Sequence, residues 1–589
     1  MRAVQLSLVL LPWLVSSAAH AQTLNVGPYV QDARPSSAWI LWETTSGEES
    51  RVEWGADETL GAEVTGTAHA SEGEARVHEV QLTGLTPATR YHYRVHTGTA
   101  SSETFFFTTP AAASDEAGFR IVFVSDMQRD DANPDVYRRV MQDGVMSFLA
   151  DEGDLDRALA FVVLPGDLVE NGLEYPEWRD HFFEPGAPLM RHVPFYPTLG
   201  NHERDAHYYY DYFHLPESGV TGENAERWWH LDHGNVRVIG LDSNRFVLLG
   251  EQEEFLDASL ASACTDDAID FVFVALHHAN VSELWPAGQA PFAATVAERM
   301  DAFGRECGKG TAQLYGHTHA YSRGASREAR HLWVNVASAG GNLDYFGEYG
   351  NQYDSDAVDV SQDEWGFVLI DVTAGADPSF RLRRVSLGNE MVARENEVRD
   401  ELTIRRYDEA PMRPVARAPR GRVTAACTTL RASDFVDPDG DLHGATRWQV
   451  AERCDELDDA PIVDRIRSFQ NWYGGVDTQA GDDLSDEPLV LAGETPLAAG
   501  DYRCWRVRHR DRGLAWSEWS EPIAFLIDEE GATPAMGCDD PSVIEPPTVD
   551  AGVDRDAGVS PDDAGDAGDL AIGGGGCACR AGSGPTRRT

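Results

Sequence analysis

The sequence predicts a central α/β domain flanked by two all-β sandwiches. In the central part, short apolar runs alternate with segments of helical periodicity, a pattern typical of crossover-connected strands in a largely buried sheet. On either side, residues 22–110 and 423–528 consist of strand-like runs separated by turn-rich pieces. The chain has 589 residues, of which 42% are hydrophobic, so it is long enough for several domains with sizeable cores.

The two ends of the chain have compositions unlike the rest. Residues 1–21 predict a secretory signal peptide: Arg2 precedes an apolar run, and Ala19-His20-Ala21 resembles a cleavage site. No later segment is long and apolar enough to span a bilayer, so we expect a soluble, exported protein. Residues 529–572 are rich in Asp, Ala, Gly and Pro, which predicts disorder, and a Cys-containing tail follows at 573–589.

Linkers are predicted where the chain loses periodicity. Residues 111–117 are small and polar, which places the start of the central domain at 118. The central domain is predicted to end at 400, and residues 401–422, rich in Pro and Arg, are interpreted as a second linker.

The charge is strongly acidic, and this limits the classes of partner. The formal net charge is −50, from 98 acidic and 48 basic residues, and Lys309 is the only lysine. Such a surface repels nucleic-acid backbones and anionic membranes, so we expect no nucleic-acid partner. An anionic substrate would need a focused cationic pocket, to which Arg323 is a candidate contributor. An ordinary surface ion pair is an equally supported interpretation of Arg323.

Five loops with metal-ligating residue types each follow one of the apolar runs of the central domain. They are Ser125-Asp126-Met127-Gln128, Gly166-Asp167-Leu168-Val169-Glu170, Gly200-Asn201-His202-Glu203, Leu276-His277-His278 and Gly316-His317-Thr318-His319. The apolar runs before them are Ile121 to Val124, Phe161 to Leu164, Phe195 to Leu199, Phe271 to Leu276 and Ala312 to Tyr315. Taken singly, each loop is explained by turn or capping chemistry. Taken together, they predict a metal site at one sheet edge.

In this order the five loops resemble the blocks of the calcineurin-like metallophosphoesterase superfamily. Within it the likeness is to purple acid phosphatases, where Gly316-His317-Thr318-His319-Ala320-Tyr321 has a near-identical counterpart. The resemblance implies an α/β/β/α sandwich and a binuclear metal centre that hydrolyses phosphomonoesters by attack of a metal-activated hydroxide. Phosphodiesters are the alternative substrate class, because the same metal core serves both.

The resemblance also implies a role for each block. Two cations about 3.5–4 Å apart lower the pKa of a water molecule and neutralise developing charge. Asp167 corresponds to the carboxylate that bridges them. The remaining ligands implied are Asp126 and His319 on one metal, and Asn201, His277 and His317 on the other. This mixture of carboxylate, amide and imidazole suits Fe, Mn or Zn. His202 corresponds to the catalytic group that assists the leaving oxygen, and Glu203 to a brace behind the ligands.

Two positions depart from the family pattern. Purple acid phosphatases have a tyrosine at the position of Glu170, so we predict no purple chromophore. A related branch has a histidine at the position of Gln128, which leaves the first metal with three secure protein ligands unless Gln128 or Glu170 contributes an oxygen. His278 is the alternative metal ligand at this block, but the resemblance favours His277. These departures keep open a catalytically inactive adhesion or binding protein.

Further motifs lie in the flanking regions. The run Gly84 to Tyr91 resembles the corner of a fibronectin type III sandwich, a module that often precedes the catalytic domain of purple acid phosphatases. Trp516-Ser517-Glu518-Trp519-Ser520 resembles the Trp-Ser-X-Trp-Ser motif of fibronectin type III modules in cytokine receptors. That resemblance implies that Arg506 and Arg508 stack between the tryptophans. Asp437 to Asp441 hints at calcium but breaks the EF-hand spacing, which favours a plain turn.

The eight cysteines of an exported protein favour disulfides over thiolate metal sites. Cys264 and Cys307 are the natural pair in the central domain. For the second sandwich we propose Cys454 with Cys504 and Cys427 with Cys538, although connectivity cannot be read from sequence.

The cysteines of the tail and an aromatic run in the central domain each allow a structural and a functional interpretation. Gly573 to Arg580, with Cys577 and Cys579, resembles the start of a cell-surface sorting tail of some Gram-negative bacteria but lacks the hydrophobic helix. Attachment of the protein to the cell surface and its release from the cell are the two alternatives.

The aromatic run Tyr208 to Phe213 is predicted to pack in the core rather than to line a substrate pocket.

Overall fold

The computed structural model describes residues 22–216, 218–244, 249–471, 481–528, 538–539 and 544. The predicted signal peptide, the tail with Cys577 and Cys579 and nearly all of 529–572 lie outside the described residues. All described residues belong to one compact unit. Within them, no helix combines the length and apolar composition needed to cross a membrane.

The N-terminal region is an all-β sandwich, as predicted. Its strands are β1 (Leu24–Arg34), β2 (Ser37–Thr44), β3 (Arg51–Gly55), β4 (Ala62–Thr65), β5 (Thr67–Ala70), β6 (Arg76–Thr83), β7 (Arg90–Thr97), β8 (Ala100–Ser101) and β9 (Phe105–Thr108). One sheet has the order β1-β2-β6-β5, and the other β4-β3-β7-β8 with β9 on β7. The Thr86 backbone N–H donates to the Tyr91 hydroxyl at 2.9 Å, a bond of the kind that closes a tyrosine corner.

The central domain has two facing sheets. Its strands are β10 (Phe119–Phe123), β11 (Phe161–Leu164), β12 (Phe195–Pro197), β13 (Trp229–His233), β14 (Val236–Gly240), β15 (Phe271–Ala275), β16 (Gly310–Tyr315), β17 (Tyr321–Ala325), β18 (His331–Val336), β19 (Val360–Gln362), β20 (Trp365–Thr373), β21 (Ser379–Gly388) and β22 (Ala393–Arg405). One sheet has the order β12-β11-β10-β20-β21-β22 and the other β13-β14-β15-β16-β18-β17-β19. The rings of Phe271 and Phe380, one from each sheet, meet edge to face at 5.1 Å. The two sheets therefore share one core.

Helices cover the outer faces of both sheets. They are α1 (Val136–Arg138), α2 (Leu155–Ala158), α3 (Tyr175–Glu177), α4 (Glu184–Met190), α5 (His207–Tyr212), α6 (Leu249–Thr265) and α7 (Pro291–Cys307). Wider π-type turns continue α1 over Arg139–Met146 and α3 over Trp178–Phe183. Leu256 of α6 and Val296 of α7 pack with Val272 and Val274 of β15, and Phe148 packs edge to face on Phe367 of β20. These layers confirm the α/β/β/α sandwich.

The second sandwich is also all-β. Its strands are β23 (Ala416–Ala418), β24 (Gly421–Val423), β25 (Thr429–Ala432), β26 (His443–Ala451), β27 (Val463–Asn471), β28 (Gly481–Asp483), β29 (Leu489–Val490), β30 (Tyr502–Asp511) and β31 (Ile523–Ile527). The sheet orders are β23-β25-β29 and β24-β31-β30-β26-β27-β28.

The segment 401–422, expected to be a linker, contributes strands to both of its neighbours. Strand β22 continues past residue 400 to Arg405, and β23 pairs with β25 of the second sandwich. Strand β22 was not recognised to its full length because it lacks an apolar pattern. It is an edge strand that pairs with β21 and exposes many polar side chains. The central domain and the second sandwich are consequently separated by about ten residues only, counted from the end of β22 to the start of β23.

The second sandwich contacts the central domain through a ladder of alternating Arg and Trp side chains. The Arg508 guanidinium lies 4.3 Å from the Trp516 ring and 4.6 Å from the Trp519 ring, and Arg506 lies 4.3 Å from Trp519. The predicted stacking of both arginines is therefore present. Arg510 extends the ladder at 5.2 Å from Trp516.

Replacing Arg508 by Ala should destabilise the second sandwich. Its guanidinium stacks on two rings and donates to Glu328 of the central domain at 2.9 Å, and its side chain is only 12% exposed. Because a partly desolvated cation–π contact is worth about 0.5–2 kcal/mol, we expect the free energy of unfolding to fall by roughly 1–3 kcal/mol. Denaturant unfolding followed by tryptophan fluorescence measures this. The control Arg413→Ala removes an exposed arginine paired with Glu521, and an equal loss there would contradict the prediction.

All three proposed disulfides are present. Cys264–Cys307 joins the ends of α6 and α7, with a Cα–Cα distance of 5.5 Å. Cys427–Cys538 and Cys454–Cys504 lie in the second sandwich, with Cα–Cα distances of 5.3 and 5.1 Å. Since disulfides persist in oxidising compartments, this pattern is consistent with an extracellular protein.

Candidate metal centre

The five loops identified in the sequence meet in space, but they come from two sheets rather than from one sheet edge. The first three follow the parallel strands β10, β11 and β12, and the last two follow the parallel strands β15 and β16 of the opposite sheet. The expectation of a single edge was wrong because apolar runs indicate buried strands without indicating which sheet they join.

One group of side chains converges on the Nε2 atom of His277. This atom lies 3.2 Å from Asp167 Oδ2, 3.0 Å from Asn201 Oδ1 and 3.1 Å from His317 Nδ1. Asp167, His277 and His317 each offer a ligand atom within 4.8 Å of the others. Four donor atoms on four different loops therefore face one point.

A second group lies around Asp126. The Asp126 Oδ1 atom is 3.2 Å from His319 Nε2, and the Gln128 amide nitrogen is 3.0 Å from the same His319 atom. The Gln128 Oε1 atom is buried and has no hydrogen-bond partner among the described residues. Glu170 is 54% exposed, and its carboxylate lies 3.8 Å from His202 Nδ1 instead. Of the two residues considered for an extra oxygen, Gln128 is the one beside His319.

Carbonyl oxygens that carry no signal in the sequence orient the histidines. His277 Nδ1 donates to the Pro165 carbonyl at 2.9 Å, and His319 Nδ1 donates to the Asn342 carbonyl at 2.6 Å. Both rings consequently present Nε2 to the site. His278 Nδ1 instead lies 2.9 Å from the Ser243 hydroxyl, which places His278 beside the group rather than in it.

The backbone at three of these residues is left-handed. The φ angles are 61° at Asp126, 54° at Asp167 and 72° at His317. Non-glycine residues in this region cost about 1–3 kcal/mol each and occur mainly at functional sites. A Cβ on Gly316 would collide with Ser125 and Asp126, so the close approach of these loops requires glycine there.

Glu203 braces the loops from behind, as expected. Its fully buried carboxylate accepts the N–H groups of Asp167 at 2.9 Å, Leu168 at 2.6 Å and Gly200 at 2.6 Å. Asp344, which the sequence did not reveal, plays a similar part by accepting the His319 N–H at 2.8 Å. Burial and the neighbouring Asp167 raise the pKa of Glu203 to about 7.

The carboxylates and imidazoles of the site perturb one another strongly. Burial opposes ionisation of Asp167, but His277 outweighs it and holds the pKa of Asp167 below its usual range. Burial likewise opposes protonation of His277, yet Asp167 raises the pKa of His277 to about 10. Asp126 raises the pKa of His319 to about 9 in the same way. Protons and metal ions compete for such donors. This donor set, with the orphan Gln128 oxygen beside it, has the chemistry to hold a metal ion.

His202 lies at the exposed side of the group. Its Nδ1 atom donates to the Glu170 carbonyl at 2.6 Å, its backbone N–H donates to Asp167 Oδ1 at 2.9 Å, and its Nε2 atom is 3.9 Å from Asp167 Oδ2. The side chain is 28% exposed. The His202 side chain is therefore fixed in position by these contacts, and it remains accessible to a small molecule.

A cavity of about 1060 Å³ adjoins the donor group. Asn201, His278 and His317 form its inner wall, and Arg204, Arg227 and Phe292 are among its other lining residues. Arg227 binds Asp205 at 2.5 Å and Asp242 at 3.2 Å. Arg204 makes no ion pair with any described residue, which makes it a cationic group available to an anionic ligand.

Arg323 and three residues of the aromatic run at 208–213 serve the fold. Arg323 is buried and binds Asp400 at 2.6 Å and Asp359 at 3.1 Å, so it is not part of a surface ion pair, and it is not among the residues that line the cavity beside the donor group. Of the aromatic run at 208–213, Tyr209, Tyr212 and Phe213 are buried in the core, as packing predicts.

The sequence and structure match known families over much of this region. Residues 25–109 match the purple acid phosphatase N-terminal domain, and residues 119–321 match calcineurin-like phosphoesterase. An uncharacterized protein of Mycobacterium tuberculosis is 30% identical over 240 residues, covering 36% of this chain and 44% of that protein. Purple acid phosphatase 23 of Arabidopsis thaliana is 26% identical over 281 residues, covering 42% of this chain and 57% of that protein. The chain thus spans about half the length of the curated relatives it matches.

Solved structures with the same fold include PhoD. It aligns with a TM-score of 0.51 and 15% identity, covering 65% of this chain and 90% of that chain. A purple acid phosphatase from seeds of yellow lupin (Lupinus luteus) aligns with a TM-score of 0.48 and 18% identity, covering 64% and 73%. Residues 25–109 are thus similar to a purple acid phosphatase N-terminal domain and residues 119–321 to a calcineurin-like phosphoesterase domain, so this part of the chain resembles the purple-acid-phosphatase-like metallophosphoesterases.

Proposed function

We propose that the protein is an exported binuclear-metal phosphoesterase that hydrolyses phosphomonoesters. The observation that supports this most strongly is the convergence of the two donor groups around Asp126 and His277, with Asp167 between His277 and His202. The matches to purple acid phosphatase and calcineurin-like phosphoesterase families support the same reaction class.

In this proposal, each part of the site has a defined task. Asp126, Gln128 and His319 would hold one cation and Asn201, His277 and His317 the other, with Asp167 as a ligand between the two groups. When bound, the two cations supply Lewis-acid activation of water and neutralise charge on the phosphoryl group. Glu203 keeps the Asp167 loop in place through its three backbone contacts.

His202 handles the proton of the leaving group. Because Nδ1 donates to the Glu170 carbonyl, Nε2 is the atom directed at the site. In the imidazolium form, Nε2 would give its proton to the departing oxygen, and the ring would return to the neutral form with Nδ1 still protonated. The adjoining cavity receives the organic part of the ester, and Arg204 offsets the repulsion between the acidic body of the protein and an anionic substrate.

Metal content read beside hydrolysis tests the proposal. The full chain is expressed with Mn, Fe and Zn available, analysed for metals, and assayed with a chromogenic phosphomonoester and a chromogenic phosphodiester. We expect two metals per chain, no visible charge-transfer band because Glu170 replaces the tyrosine, and faster turnover of the monoester. Faster turnover of the diester would overturn the substrate assignment. One metal or none, with neither ester hydrolysed, would favour the binding-protein alternative.

A further inference from the structure

A second group of carboxylates lies far along the chain from the metal centre, where the central domain meets the second sandwich. Asp408 follows β22, Asp437, Asp439 and Asp441 lie in the turn between β25 and β26, and Asp511 ends β30. Asp408, Asp439 and Asp441 each offer a carboxylate oxygen, and these oxygens lie within 4.8 Å of one another.

The turn itself is built by one of these aspartates. Asp437 Oδ1 accepts the N–H groups of Asp439 at 2.9 Å and Asp441 at 3.0 Å, and Gly440 between them has a left-handed φ of 80°. The turn expected from the sequence is therefore present. It uses only one oxygen of Asp437, however, and Asp437 Oδ2 is buried with no hydrogen-bond partner among the described residues.

The burial of Asp408 without a hydrogen-bond partner is the observation that points to a ligand. The Asp408 side chain is 0% exposed, and neither of its carboxylate oxygens has a hydrogen-bond partner within the described part of the chain. The Asp511 Oδ1 atom accepts the Ala515 N–H at 2.9 Å, but Asp511 Oδ2 is again buried without a partner. An unpartnered buried carboxylate is costly, and proteins normally avoid one or pair it with a cation.

The arginines nearby do not satisfy these groups. Arg330 Nη1 lies 3.9 Å from Asp408, and Arg405 Nε lies 3.5 Å from Asp441, both beyond a normal hydrogen bond. Burial, opposed by Arg330 and reinforced by Asp441, raises the pKa of Asp408 to about 6. Burial and the charge of Asp408 raise the pKa of Asp511 to about 8. The carboxylates thus repel one another, and neither arginine lies within normal hydrogen-bond distance of them.

We propose that Asp408, Asp439 and Asp441, with the carboxylates of Asp437 and Asp511 beside them, bind a calcium ion that joins the last strand of the central domain to the second sandwich. An all-oxygen set of carboxylates selects a hard cation, and calcium accepts six to eight oxygens in irregular geometry, whereas magnesium demands a near-ideal octahedron. The site shares no residue with the centre around Asp126 and Asp167, so it stands independently of the proposed hydrolase activity.

Calcium titration of the full chain, after treatment with a chelator, tests the proposal. We expect calorimetry to detect one calcium ion with a dissociation constant on the order of 10⁻⁴–10⁻³ M, as in extracellular modules, and the midpoint of thermal unfolding to rise with calcium but not with equal magnesium. Asp408→Asn and Asp439→Asn should each abolish both responses. Asp439 is exposed, so its variant folds even where the buried substitution disturbs the core.

Two matched variants separate this site from other acidic groups. Asp434→Asn removes an exposed carboxylate close to the same turn and should leave the calcium response intact. Asp167→Asn alters the metal centre and should also leave it intact. A wild-type chain with no calcium response, or Asp408→Asn and Asp439→Asn responding as wild type does, would overturn the proposal. A response lost in Asp167→Asn alone would assign the calcium to the hydrolase centre and overturn it equally.

Discussion

Asp167→Asn is expected to abolish ester hydrolysis and to lower the metal content. Asp167 is 1% exposed, lies 3.2 Å from His277 Nε2 and accepts the His202 N–H at 2.9 Å. The amide keeps the volume of the side chain but removes the charge that binds cations. Because residues that only orient ligands already cost 10–100-fold when changed, we expect a loss of more than about 10²-fold in kcat/KM. Elemental analysis and a chromogenic phosphomonoester measure the two effects.

The control for this variant is Asp131→Asn. Asp131 is an exposed carboxylate in the same part of the chain as the first loop, and it contacts none of the ligands in the part of the structure described. It should retain both metals and activity. If Asp167→Asn kept two metals and full turnover, Asp167 would not be the shared ligand.

His202→Gln should lower turnover while leaving the metals in place. The His202 ring touches the site through Nε2, which is 3.9 Å from Asp167 Oδ2, yet it is not among the converging donor atoms. A positioned acid contributes typically 10²–10⁴-fold, so we expect a fall of about that size in kcat with metal content unchanged. Steady-state kinetics and elemental analysis together check both parts.

A series of phosphomonoesters distinguishes proton donation by His202 from a purely structural role. The loss in kcat should be largest for poor leaving groups and should shrink as the leaving group becomes more acidic, because an acidic leaving group needs no proton. His207→Gln is the matched control, since His207 is 61% exposed and pairs with Asp211. A uniform loss across the series, or an equal loss in the control, would contradict the role given to His202.

The loops of the site could be predicted from the sequence because their strands are short apolar runs. The run from Phe161 to Leu164 coincides with β11, and the other four differ from β10, β12, β15 and β16 by one or two residues at one or both ends. The carbonyl groups of Pro165 and Asn342 could not be predicted, because a backbone oxygen that orients a histidine carries no side-chain signal. Asp344 was missed because it lies 25 residues beyond the His319 that it supports.

The structure differs from the prediction at Arg323 and β22, where the sequence pattern does not show which residues meet in space. Arg323 follows the last ligand block closely, which made it a candidate for the pocket, but β17 directs its side chain to Asp400 of β22. Strand β22 itself has the alternating burial of an edge strand with few apolar residues, so its composition favoured a linker. For Arg323 the partner that decides the outcome lies 77 residues away, beyond any local pattern.

The Arg–Trp ladder determines how small a catalytic fragment can be made. It rests on the tip of the hairpin β17–β18, which begins two residues after His319, and the carbonyls of Ser326, Arg327 and Ala329 accept bonds from Arg510 and Trp516. A chain that ends at Arg405 would lack the Arg510 and Trp516 donors, so these three carbonyls would bond to water. The hairpin, which starts beside the candidate metal centre, would then be exposed to solvent. The minimal fragment for recombinant work therefore ends beyond β31, not at the boundary of the phosphoesterase domain.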